Sequence, residues 1–182
     1  MRSFRPALLV NLGLQQGGWF AAVLCAAHGR PVAGCAAALA AVAVHLLLAR
    51  SRAGEARLAV MALLLGIGME AAIATTGAFR YASGSIAGGF VTPWALALWM
   101  QLATTLRFAF GWMRGRPLAA AAFGAVGGPL AFRFGAALGG GAIAAGMKGM
   151  LVLATAWAVS MVVLVRWAGR PGATEGYRFE GS

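Results

Sequence analysis

Four carboxylates stand against fifteen Lys and Arg in 182 residues, and one of them, Glu70, sits deep inside an apolar run. A charge in apolar surroundings must be paired, protonated or functional, so Glu70 is the first residue to account for. It is the only acid inside a predicted membrane span. Two bases, Arg107 and Arg133, also fall inside apolar runs. Measured from the same side of the membrane, Glu70 and Arg133 lie at similar depth, so an ion pair between them is predicted. Such a pair reads as a structural clasp or as a site for a ligand headgroup or a proton, and both readings stay open. Arg107 is nearer the end of its run, where it can snorkel to interfacial phosphates or hold an anion in a lateral cleft. His45 can titrate, hydrogen-bond a headgroup, or serve as a packed helical histidine.

Two polar stripes accompany these charges. Asn11, Gln15 and Trp19 recur at i, i+4, while Trp94, Gln101, Thr105, Phe108 and Trp112 follow helical spacing further on. Hydrocarbon offers an amide no partner, so both stripes are expected to face the same interior space. They predict either interhelical hydrogen bonds or a polar-aromatic pocket for an amphiphile. The candidate ligand-binding residues are therefore Asn11, Gln15, Trp19, His45, Glu70, Trp94, Gln101, Thr105, Arg107 and Arg133. Catalytic and metal-binding candidates are none. The sequence has no HExxH, GxSxG, phosphate loop or paired carboxylates, and His28 and His45 are its two histidines. The reading leans away from an enzyme and calls for no cofactor.

The elements that must position these residues follow from composition. Hydrophobic residues make up 61% and charged ones 10%, with a mean hydropathy of +0.80. Soluble domains average about 45–50% and about 25%. This excludes an ordinary soluble domain, a disordered chain and a disulfide scaffold, and leaves a polytopic membrane protein. Six apolar runs approach the roughly 20 residues that a spanning helix needs: approximately 7–27, 32–49, 58–77, 92–112, 118–138 and 149–168. The predicted fold class is all-α: one transmembrane helix bundle of about six spans over residues 1–168, with a polar, frayed cytoplasmic tail at 169–182. A net charge of +11 would suggest nucleic acid in a soluble protein. Here the arginines fall in short clusters between apolar runs, as membrane-flanking charges do, so no nucleic-acid partner is expected.

Those clusters are lopsided. Arg2, Arg5, Arg50, Arg52, Arg57, Arg114, Arg116, Arg166, Arg170 and Arg178 fall on one side, and Arg30, Arg80 and Lys148 on the other. The positive-inside rule places both termini in the cytoplasm. The first run begins like a signal peptide, but Asn11, Gln15 and Gln16 interrupt it, so it is read as a retained span. Cys25 and Cys35 flank the hairpin His28-Gly29-Arg30-Pro31 and read as small buried thiols, with a disulfide as the alternative. GxxxG spacings at Gly13/Gly17, Gly124/Gly128 and Gly135/Gly139 allow close helix packing or a homo-oligomer. The Gly-rich fifth run is the candidate central helix, kinked at Pro129.

A resemblance adds to this reading. It is carried by Asn11 with Gln15-Gln16 and Trp19-Phe20; Ala26 through Pro31; His45; Pro93-Trp94 with Leu98-Trp99; Ala103-Thr104-Thr105-Leu106; Trp112 with Arg116-Pro117; and Gly124 through Leu130 with Gly135. These stretches cover most of residues 8–138. On them the chain resembles a small, uncharacterised family of bacterial inner-membrane proteins, in which Asp often stands at the position of Glu70 and Tyr at that of Phe132. The resemblance implies a bacterial inner-membrane location. It also implies an association with cyclopropane-fatty-acid-synthase-like proteins, and hence with membrane lipids as partners. The leading expectation is a protein that binds or handles a membrane lipid or similar amphiphile, with Arg107, Arg133 and Glu70 engaging the headgroup. The alternatives are a small transporter of a polar solute or proton using Glu70, a lipid-modifying membrane enzyme, and a structural subunit of a membrane complex.

The charge bias carries the first prediction. A reporter active only outside the cytoplasm, fused after Ser182, is expected to give no signal, and strong activity would reverse the topology.

Overall fold

The computed structural model describes residues 6–169 and 176–180. Arg2, Arg5 and Arg170, which contribute to the charge bias, and most of the predicted tail lie outside them. The described residues form six α-helices: α1 (Pro6–Ala27), α2 (Pro31–Leu48), α3 (Arg52–Thr76), α4 (Pro93–Ala103), α5 (Pro117–Ala137) and α6 (Gly146–Ala168). Pro in the first turn opens α2, α4 and α5, where its missing N–H leaves no bond unmade. Gly77, at φ 64°, closes α3 in the left-handed conformation that a side chain resists. Among the described residues five helices are long and apolar enough to cross a membrane, as expected of a multi-pass membrane protein.

The exception is α4. The apolar run at 92–112 reads as a full span, yet the helix stops at Ala103. Eleven residues extend about 16 Å, roughly half the hydrocarbon thickness. The cause is local. The Thr104 and Thr105 hydroxyls donate to the carbonyls of Gln101 and Leu102, each at 2.7 Å. The amides of residues 104–106 fall back to partners three residues earlier. Threonines that bond their own backbone compete with the helix ladder. The chain continues in turns to a short 3-10 segment at Gly111–Met113. Phe108 and Trp112 therefore do not extend the helical face of Trp94, and Trp112 is exposed.

The bundle is also not purely helical. Strands β1 (Phe79–Tyr81) and β2 (Gly141–Ile143) pair antiparallel, with Phe79 opposite Ile143. This ribbon ties the α3–α4 link to the α5–α6 link at one end of the bundle. The helical hairpin α1–α2 meets it there, because Ser83 Oγ–H donates to the Ala26 carbonyl at 2.7 Å. At the opposite end, Gly176–Glu180 returns to the helices instead of fraying, and Tyr177 pairs with Ala49 as an antiparallel bridge.

Packing depends on missing side chains. The indoles of Trp99 and Trp157 stack at 4.9 Å with 17° between their planes. A Cβ at Gly66 on α3 would collide with the Trp99 ring, and one at Gly128 on α5 with the Trp157 ring. Gly18 makes room for the Gln101 amide in the same way, and Gly34 for the backbone at Ala22. Cys25 packs against Gly34, and both cysteines are free thiols. Gly13 and Gly17 behave differently: nothing lies within 4 Å of either. Pro129 is buried, and α5 continues through it as one helix.

This contrast predicts opposite outcomes for one chemical change. Gly128→Ala should cost about 1–3 kcal/mol by overpacking against an immobile ring. Gly13→Ala should leave stability unchanged or raise it by about 0.5–1 kcal/mol. Thermal unfolding of the two variants in detergent checks both.

Candidate functional site

Two polar centres occupy different levels of the bundle. The first collects the ends of four helices. His45 on α2 is fully buried, and its Nδ1 meets the Tyr177 hydroxyl at 2.9 Å while its Nε2 meets Glu55 Oε2 at 3.2 Å. Arg107 Nη1 donates to Glu55 Oε1 at 3.1 Å, and Arg107 Nε to the Ala168 carbonyl at 3.1 Å. Asn11 Nδ2 donates to the Thr104 carbonyl at 2.9 Å and to the Tyr177 hydroxyl at 3.2 Å. Phe108 packs edge-on to His45 at 5.2 Å.

Several expectations change here. Arg107 does not snorkel; it neutralises Glu55. Glu55 lies in the first turn of α3 with 3% exposure, so Glu70 is not the only acid of a span helix. It stands within the cluster Arg50–Arg57, which reads as a solvated flank. Its usable signal is its place at a helix start, where an acid suits the dipole. Tyr177 stands in a polar tail and carries no periodic signal. The centre is closed, with Asn11, His45, Glu55 and Tyr177 all nearly inaccessible. That makes it a fastening of α1, α2, α3 and α6 to the break after α4.

The second centre is a cleft of about 220 Å³ lined from α1, α3, β1, α4, α5 and α6. Nine aromatic rings line it: Trp19, Phe79, Tyr81, Trp94, Trp99, Phe110, Phe123, Phe132 and Trp157. The α5 side contributes Gly124, Gly127, Gly128, Ala131 and Gly135 together with Phe123 and Phe132, and Trp157 of α6 packs onto Gly124 and Gly128. α1 and α5 both line the cleft without packing extensively along one another.

Glu70 lies in this wall with 4% exposure. Its Oε2 accepts from the Tyr81 hydroxyl at 2.6 Å and its Oε1 from Trp99 Nε1–H at 3.0 Å. The predicted partner is wrong: Arg133 is exposed on α5 and makes no ion pair among the described residues. Counting depth along a helix does not fix which way a side chain faces. Tyr81, in the ribbon, is the residue the sequence reading missed. Burial first, and then the neighbouring Glu70 carboxylate, push its phenol well above the usual value, so it stays a neutral donor.

The other candidates divide between the two centres. Gln15, Trp19 and Trp94 line the cleft, while Asn11, His45 and Arg107 belong to the closed network. Gln101 is a tether: its Nε2 donates to the carbonyls of Leu14 and Gln15, both at 2.9 Å. Thr105 bonds its own helix end. Gln15 and Trp19 of the first stripe and Trp94 of the second therefore share the cleft, while Gln101 and Thr105 do not line it. Gln15 Oε1 and Trp157 Nε1 are buried without a partner.

The closed network predicts strong coupling. Arg107→Met alone should cost about 3–5 kcal/mol, because it strands Glu55 in low dielectric. Arg107→Met with Glu55→Gln should cost clearly less than the sum of the single changes. A double-mutant cycle on thermal stability measures this, and additive effects would remove the pair from the account.

No curated protein and no solved structure matches the chain. A family model described as "Protein of unknown function (DUF2878)" matches residues 8–163. That range contains every residue that lines the cleft and excludes Tyr177. The chain belongs to the DUF2878 family.

Proposed function

We propose that this multi-pass membrane protein binds a membrane amphiphile in the cleft, admitting it sideways between α1 and α5. The observation that carries the reading is the cleft itself: nine aromatic rings among the small residues of α5, with one carboxylate in the wall. Flat apolar rings beside small residues make a slot that suits a hydrocarbon chain. Phe20, Leu24, Leu130 and Phe134 are exposed on α1 and α5, so lipid can reach both helices. Arg107 is committed to Glu55 and Arg133 is exposed, so neither serves as a headgroup ligand here. The setting we propose is a bacterial inner membrane with both termini cytoplasmic, supported by the arginine bias.

Gly135 supplies the test. It is buried, lines the cleft, and has nothing within 4 Å of a would-be Cβ. Gly135→Leu should therefore fill the slot without a clash. Trp19, Trp94, Trp99 and Trp157 line the same space, so ω-bromoundecanol bound there should quench tryptophan fluorescence saturably. Affinity should fall at least about ten-fold, or ~1.4 kcal/mol, in Gly135→Leu, with thermal stability retained. Equal quenching in both proteins would place the amphiphile on the outer surface and end this reading.

A further inference from the structure

We infer that the cleft selects a cationic amphiphile of the protonated alkylamine class, with its ammonium at Glu70 and its chain along the aromatic wall. This rests on the amphiphile reading above and adds the sign of the headgroup.

The two buried glutamates make the argument. Glu55 has Arg107 at 3.1 Å. Glu70 is as deeply buried, yet no Lys, Arg or His among the described residues comes within ion-pair distance of it. Its two partners, the Tyr81 hydroxyl and the Trp99 indole N–H, are neutral donors. They fix the carboxylate in direction and spread its charge, but they do not cancel it. Each oxygen keeps a second lone pair. A carboxylate held this way in low dielectric requires a proton or a cation.

Further features of the same wall have the same sign preference. Gln15 Oε1 is a second buried acceptor that lacks a donor. The Tyr81 ring is flanked by Trp94 at 5.2 Å and Phe132 at 6.5 Å, so several aromatic rings border the space beside Glu70. Ring faces attract cations and repel anions. The one orphan donor in the lining, Trp157 Nε1–H, is neutral. A protonated amine offers three N–H donors and a positive charge to these acceptors. An alcohol offers one donor and no charge, and a carboxylate meets Glu70 as a like charge.

The test uses three ω-bromoundecyl amphiphiles of one chain length: the amine, the alcohol and the carboxylate. Each is titrated against the full chain in an uncharged detergent at neutral pH, with tryptophan quenching as readout and Gly135→Leu as the surface-partition baseline. The amine should bind at least about ten-fold more tightly than the alcohol, and the carboxylate most weakly. Glu70→Gln should bring the amine down to the alcohol's affinity. Equal binding of amine and alcohol by the native protein, a preference for the carboxylate, or an amine preference that survives Glu70→Gln overturns the charge assignment and leaves the amphiphile reading standing. Absence of saturable quenching by all three overturns the amphiphile reading beneath it. The native-protein series decides the question even if the variant fails to fold.

Discussion

The stacked indoles of Trp99 and Trp157 are the contact on which the rest of the bundle depends. Inside a bilayer no hydrophobic force draws helices together, because lipid tails are as apolar as the side chains. Close approach and dispersion must do it, and a pair of flat rings between two glycines maximises both. Gly66 brings α3 to one ring and Gly128 brings α5 to the other, so four helices meet at one stack. The same Trp99 that packs also donates to Glu70. The same Trp157 that packs also lines the cleft. Packing and cleft-lining positions are therefore the same side chains, and the acid is aimed by the element that holds the bundle together.

The half-length α4 creates a problem that the closed polar network solves. Irregular backbone at membrane depth is tolerated only where protein covers it and bonds its free groups. Asn11 takes the Thr104 carbonyl, Arg107 takes the Ala168 carbonyl, and Tyr177 from the tail lies over Phe108, with ring centroids 4.6 Å apart. Arg107 brings a charge into this cover, and Glu55 supplies the counter-charge. Ending α4 early also explains the cleft. Phe110 lies beyond the helix end and turns back to line the cavity, which a continuous helix would carry past it.

Composition and periodicity made the all-α membrane class legible, and the breaks at Gly29-Arg30-Pro31, Gly77 and Arg116-Pro117 mark helix limits within a few residues. The end of α4 was not legible, because Thr104 and Thr105 are tolerated in helices and only their backbone bonds reveal the stop. The inward direction of Gln15, Trp19, Trp94 and Glu70 followed from residue type, since polar and large aromatic groups avoid lipid. Their partners did not. Depth along a helix can be counted from sequence, but rotation about its axis is set by packing, and here it is set by Gly66 and Gly128. That is why a partner chosen by counted depth, Arg133, is exposed instead. Glu55 was hidden by its arginine neighbours, and Tyr177 by its distance along the chain.

The two glutamates of α3 show how one side chain takes two roles on one helix. Glu55, at the helix start, gains from the dipole and from Arg107, and the bonds it forms join elements that otherwise end separately. Removing its charge partner would unsettle that end of the bundle, which is what a structural acid does. Glu70 sits about four turns further on, at roughly 3.6 residues per turn, near the ribbon end. There the dipole is unfavourable to an acid, no base is within reach, and the nearest polar groups are one phenol and one indole. Evolution of a purely structural wall would favour an apolar residue at that point, since an uncompensated acid only costs stability. The residue is instead held in place by two directed hydrogen bonds in the wall of the cleft. Preorganising a charge at the edge of an apolar slot makes sense only for a partner that arrives with the opposite charge or a proton.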